Sequence, residues 1–280
     1  TFRVAVFDGS PFRPWGTSAT SLINQGAITF RFRYTDGGTT WTPERQQALQ
    51  DVAKQLTGYL MVNAPVTLTY DVGVNNDPGT LASAGSALTS GYAGFWRTVV
   101  QNKLLSGVDS NGSAADGVIN WNFSYAWGLD DSISADEYDF TSTALHELLH
   151  SLGFLSEIDK AGSNTGRSWT SFDRFVVAAD GHKPISRLYY WNTADNPRLT
   201  GASGGLFFGG ANAVAAYGGL VPLYTPNPWE SGSSLSHLDD TTFTGADDQL
   251  MNAKAGKGPG VRVLSAIEIG ILKDLGYQVV

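Results

Sequence analysis

The stretch His146-Glu147-Leu148-Leu149-His150-Ser151-Leu152-Gly153 decides how this chain is read. On a helix, residues four apart share a face, with Cβ atoms roughly 5–6 Å from each other. Two imidazoles at that spacing can reach one tetrahedral zinc ion. Glu147, beside the first of them, is placed to take a proton from a metal-activated water. The chain has only 4 histidines in 280 residues, so a chance H-E-x-x-H is expected in roughly one such chain in several hundred. The bland alternative is a pair of core histidines on a buried helix.

The surrounding residues supply the helix that the motif needs. Asp139, Thr141 or Ser142 can cap it, and Ala144, Leu145, Leu148, Leu149 and Leu152 form its apolar face. Gly153 stands where a helix-ending residue needs a left-handed backbone.

Working outward, residues 27–34 alternate apolar and polar and read as a strand before an Asp36-Gly37-Gly38 turn. Thr42 caps a helix that has Pro43 at its first position and runs to about Tyr59. Residues 65–72 read as a second strand and Gly91 to about Leu105 as a helix. Residues 117–125 read as a strand suited to a sheet edge facing a cleft, where an extended substrate would pair. Beyond Gly153 the pattern turns irregular, with short strands at 172–178 and 206–208 among Gly, Pro and Asn. Helical periodicity returns only at 265–275. The fold class expected is α+β, as one catalytic domain over 1–280. An N-terminal subdomain (1–155) carries the sheet, the helices and the motif, and a loop-rich C-terminal subdomain (156–280) follows.

Composition narrows the function classes. With 42% hydrophobic residues the chain is globular. A net charge of −8 argues against nucleic acid or an anionic membrane as partner. The absence of cysteine excludes disulfides, thiolate nucleophiles and Cys-ligated zinc. No run reaches the 18 or more apolar residues of a membrane span. Residues 1–4 lack the features of a signal peptide, so the expectation is a mature exported form, secreted, bacterial and monomeric. The stretch Asp109-Ser110-Asn111-Gly112 through Asp116-Gly117 resembles a calcium loop without the terminal bidentate Glu of an EF-hand. It reads first as a turn, with Ca2+ as the secondary reading.

A catalytic zinc takes three protein ligands and keeps a fourth position open. For the third, the residues alone leave His237, His182, Glu157, Asp159, Glu230 and Glu268 open, with His182 read as a surface turn. His237 also reads as a plain loop residue and Met251 as core filler.

Three further segments bear on this choice: Ser236-His237-Leu238-Asp239, Asp247-Asp248-Gln249-Leu250-Met251-Asn252, and Leu264-Ser265 through Leu275-Gly276-Tyr277. Together with the helix motif they resemble the leishmanolysin-like branch of the metzincin metallopeptidases. Metzincins usually place a third histidine three residues after the glycine, where this chain has Ser156; in that branch a long insertion displaces it. The resemblance covers roughly residues 139–156 and 234–277. It implies a metzincin-like zincin fold, with a mixed twisted sheet and an active-site cleft between the lobes. It also implies His146, His150 and His237 as ligands of one Zn2+, Glu147 as general base, and Met251 in a methionine turn beneath the metal. The expected activity is endopeptidase cleavage of protein or peptide substrates. The position two residues after the turn methionine, a tyrosine in some relatives, is Ala253. A catalytically inactive, zinc-stabilised binding or adhesion module is the alternative, and a hydrolase of non-peptide bonds a third. The retained Glu147 argues against the inactive module, since a structural site has no use for a base.

Overall fold

The computed structural model describes residues 28–36 and 39–280. The signal-peptide reading of residues 1–4, and Ala27, Gly37 and Gly38 of the first strand and turn, lie outside them. Strand β1 (Ile28–Tyr34) alternates half-buried and exposed side chains, the period-2 pattern visible in its sequence. The Thr42 hydroxyl then accepts from Arg45 N and starts α1 (Pro43–Thr57), which buries Leu49, Val52, Ala53 and Leu56. There follow β2 (Val66–Val74), β3 (Ala82–Gly85), α2 (Val99–Ser106), β4 (Gly117–Trp121) and α3 (Phe140–Ser151).

The main sheet has the order β1-β2-β4-β3. β1, β2 and β4 run parallel, with Ile28 opposite Val66 and Tyr70 opposite Gly117. β3 runs antiparallel to β4, with Ala82 opposite Trp121. The strand expected at the edge, β4, is therefore interior, and the edge on that side is the short β3. β4 also stops at Trp121 rather than Tyr125. The Asn122 side chain turns the backbone there, accepting from Ser124 N and donating to Asp77 O and Thr80 O.

α2 begins at Val99 rather than Gly91, because Thr98 is its cap. The preceding Gly94–Trp96 is extended and pairs with Ser168–Thr170.

The second half is irregular, as expected, but not without helix. Asp173–Phe175 forms a 3-10 turn, so only Val176–Val177 of the expected strand pairs, with Phe207–Phe208, which in turn pairs with Val221–Pro222. Helix α4 (Ala211–Tyr217) is an addition to the sequence reading, and its start shows why it was not legible. Gly210 offers no capping side chain; Asp274 of α5 (Ala266–Asp274) instead accepts from Asn212 N and Ala213 N, both at 3.0 Å. The two helices touch backbone to backbone at Gly270, where a Cβ would meet Ala213 Cα at 2.7 Å. One buried apolar cluster joins the halves, from Leu49, Tyr70 and Trp121 through Phe140 and Leu148 to Phe172, Phe208, Leu238 and Ile271. The protein is thus a mixed α+β structure. Among the described residues no helix is long and apolar enough to cross a membrane.

Candidate metal centre

Asp139 is the residue that caps α3, its Oδ1 accepting from Ser142 N at 3.1 Å. Its other oxygen accepts from Gly260 N and Arg262 Nε, so the start of the helix is tied to the segment leading into α5. α3 packs on α1 and β3 and buries Leu145, Leu148 and Leu149. At its far end Gly153 has φ +95°, the left-handed conformation expected of it. Gly153 N donates to His150 O and Phe154 N to Leu149 O, the paired bonds of a Schellman cap. This reversal has a chemical consequence: it brings Phe154 O to 2.7 Å from His150 Nδ1.

The other two rings are held the same way. His146 Nδ1 lies 2.7 Å from Leu250 O, and His237 Nδ1 lies 2.7 Å from Ser233 O. A carbonyl only accepts, so each Nδ1 carries the proton and each neutral ring is left with a bare Nε2. The three Nε2 atoms face one another, at 3.0 Å for His146–His150, 3.0 Å for His146–His237 and 3.1 Å for His150–His237. Three lone pairs so placed have no proton to share, and a cation between them relieves the repulsion. Nitrogens on a tetrahedral zinc with bonds of about 2.0–2.1 Å stand about 3.3–3.4 Å apart, close to what the rings provide.

Electrostatics favour the same state. Burial lowers the pKa of all three histidines, to about 3 for His150, and for His150 and His237 the neighbouring rings add to the effect. His150 and His237 therefore stay neutral and able to ligate well below the usual histidine range, and His146 is shifted in the same direction. Burial pushes the Glu147 carboxyl up to about 8, opposed by a hydrogen bond from the Ala84 backbone. The structure thus assembles His146, His150 and His237 into a group that can hold a metal ion, the one such cluster of His, Cys, Asp and Glu found among the described residues.

His237 reaches the centre on irregular chain. Leu235 sits at φ +63°, a left-handed turn that costs a non-glycine residue on the order of 1–3 kcal/mol. The turn is clamped on both flanks, by Leu235 N to Tyr224 O and Tyr224 N to His237 O on one side, and by Leu238 N to Met251 O on the other. Met251 is fully buried and its N–H donates to Glu268 Oε1 at 2.7 Å. Its neighbour Leu250 supplies the carbonyl that fixes His146. The methionine segment therefore steadies two of the three histidines through its backbone.

Of the other third-ligand candidates, Glu157 is not among the residues that converge with the histidines, and the remaining four have different partners. His182 is bound by Asp180 and Asp195. Glu268 closes the capping box of α5 with Ser265. Glu230 pairs with Lys254, and Asp159 accepts from Lys160 N. In the stretch read secondarily as a calcium loop, Asp109 and Asp116 converge on Lys103 Nζ at 2.8 and 3.0 Å. That loop carries its own cation, an ammonium.

Several contributors were not visible in the sequence. The carbonyls of Phe154, Leu250 and Ser233 carry no side-chain signal at all. Asp173 is a second case: its carboxylate accepts from Ser156 Oγ, Glu157 N and Thr170 N. Burial raises its pKa to about 6 against those bonds. The clue available was only that Ser156 stands where the pattern this chain resembles has a histidine.

No family model, characterised protein or solved structure compared with this chain gives a match.

Proposed function

We propose that the chain is a zinc-dependent endopeptidase of the metzincin type, working outside the cell on protein substrates. The observation that carries this reading is the set of three bare Nε2 atoms facing one another, with Glu147 on the helix that carries His146 and His150. Three imidazoles with no fourth protein donor in their group among the described residues suit zinc in an open, catalytic site. Bound zinc supplies Lewis acidity, polarising a carbonyl and making water nucleophilic near neutral pH. Glu147 would take a proton from the attacking water on a carboxylate oxygen and pass it to the leaving amine. Its buried position keeps competing water away and makes its proton affinity sensitive to nearby charge.

The substrate backbone is received by β3 rather than by β4. Asn122 N donates to Leu81 O, which sets the antiparallel ladder so that Ala82 and Ala84 point their N–H and C=O groups away from β4. Among the described residues no further strand pairs with that edge. An extended peptide added there runs past Glu147, against which the Ala84 backbone already lies.

The test is casein or gelatin cleavage by the purified chain with and without a chelator. Cleavage that a chelator abolishes and zinc restores is expected. A zinc-loaded chain that cleaves no protein would point to the inactive binding module instead.

A further inference from the structure

We infer that Asp173 is a positioning residue for two of the three histidines, acting through the segment Phe154–Ile158; the inference rests on the metal-site reading above. The segment is held at both ends of the problem. Phe154 O accepts from His150 Nδ1, and Ser156 N donates to Ser236 Oγ at 3.1 Å, one residue before His237. One short stretch thus reaches a ligand on the helix and the neighbour of the ligand on the loop.

What fixes this stretch is Asp173. Its Oδ1 accepts from Ser156 Oγ at 2.6 Å, and its Oδ2 accepts from Glu157 N at 3.0 Å and Thr170 N at 2.9 Å. The Ser156 hydroxyl also accepts from Ile158 N, while Thr170 Oγ1 donates to Leu155 O and accepts from Asp173 N. Ser156, Glu157 and Ile158 are therefore tied, directly or through one hydroxyl, to a carboxylate that is only 2% exposed, and Leu155 is tied to the backbone of Asp173 through Thr170. Residues that orient metal ligands without touching the metal matter about 10–100-fold in affinity.

The position of Ser156 gives this network its meaning. In the metzincin pattern the chain would place a third ligand there. Here the same turn of backbone carries a serine that holds Asp173 with its side chain and Ser236 with its N–H. The short route to a third ligand has become a strut for the long one.

Asp173→Asn keeps the shape but cannot accept from two amide N–H groups and the serine hydroxyl as the carboxylate does. The control is Asp195→Asn. Asp195 is equally buried, at 2% exposed, and bound by His182, Arg198 and Asn192, away from the histidines. The readouts are the rate at which excess chromophoric chelator strips Zn2+ from the full-length chain, well below its melting temperature, and the visible spectrum of the Co2+-loaded chain. Asp173→Asn is expected to speed zinc loss about 10–100-fold and to shift the Co2+ bands. Asp195→Asn should lower the melting temperature while leaving both readouts as in the wild type. Unchanged zinc loss in Asp173→Asn, or equal acceleration in Asp195→Asn, would overturn the inference. Should Asp173→Asn not fold, Ser156→Ala and Ser236→Ala are expected to speed release in the same direction; wild-type rates in both would overturn it as well. If the wild-type chain takes up neither Zn2+ nor Co2+, it is the metal-site reading that fails, and this inference with it.

Discussion

His146 and His150 are held by regular structure, His237 by irregular structure, and the two solutions use different physics. The helical pair owes its spacing to the backbone repeat: one cap at Asp139 and one reversal at Gly153 are enough to place both rings. His237 has no repeat to rely on. Its place is set by the left-handed turn at Leu235, by backbone bonds to Tyr224 and Met251, and by Ser236. All three rings nevertheless end in the same bond, Nδ1–H to a carbonyl at 2.7 Å. A metal site needs the orientation of its ligands fixed, whatever the architecture that fixes it.

The largest effect expected is on catalysis. Glu147→Ala should keep its metal and lose about 10²–10⁴ of its peptidase activity, measured as casein turnover at equal zinc content. Full activity in that variant would remove the glutamate from the chemistry. A gentler variant exposes its protonation state. In the metal-free fold Glu147 ionises at about 8, so at pH 6 it is protonated, whereas burial holds His150 and His237 neutral there and pushes His146 in the same direction. A cation favours the carboxylate, so zinc uptake at pH 6 should expel about one proton more from the wild type than from Glu147→Gln. Calorimetry in buffers of different ionisation enthalpy reads this directly, and equal proton release in both proteins would refute it.

The same raised pKa has a sign for stability. Its contribution in the metal-free protein is present below the ordinary glutamate value of 4.5 and is lost as pH rises through about 8. His150 works the other way, with stability present above 6.5 and lost as pH falls towards about 3.

Gly153→Ala strikes the helical side of the comparison. A Cβ there requires φ +95° of a non-glycine residue and meets Gln101 Oε1 at 2.9 Å. The expected loss is about 1–3 kcal/mol in denaturant unfolding, with weaker zinc binding as Phe154 O leaves His150. A variant of wild-type stability would show that the Schellman cap is dispensable. Glu268→Gln strikes the other side, weakening the bond that Met251 N donates. It should cost about 1–2 kcal/mol and loosen zinc less than Gly153→Ala does; a larger effect on zinc would reverse the ranking of the two supports.

The contrast between the two kinds of support also explains what could be read from the sequence. α3, its apolar face, and Gly153 were legible because helical periodicity and a left-handed glycine leave marks on residue type. Asp139 was one of three capping candidates, and only the fold selects it. The edge strand was misplaced because β4 is paired along both edges, and Asn122–Tyr125, which look like strand, are turned away by one amide side chain. α4 escaped because its cap, Asp274, lies in another helix. His237 stood out only through the resemblance, since nothing in a loop histidine's neighbours marks it as a ligand. The Asp173 network is of the same kind: bonds from a carboxylate to backbone N–H groups have no sequence period.

The most direct test of a site closed by His237 is the zinc content of the purified chain by native mass spectrometry, beside His146→Ala and His237→Ala. One zinc per wild-type chain is expected, with little or none in either variant. A His237→Ala chain that keeps a full equivalent of zinc would show that the loop histidine is not a ligand.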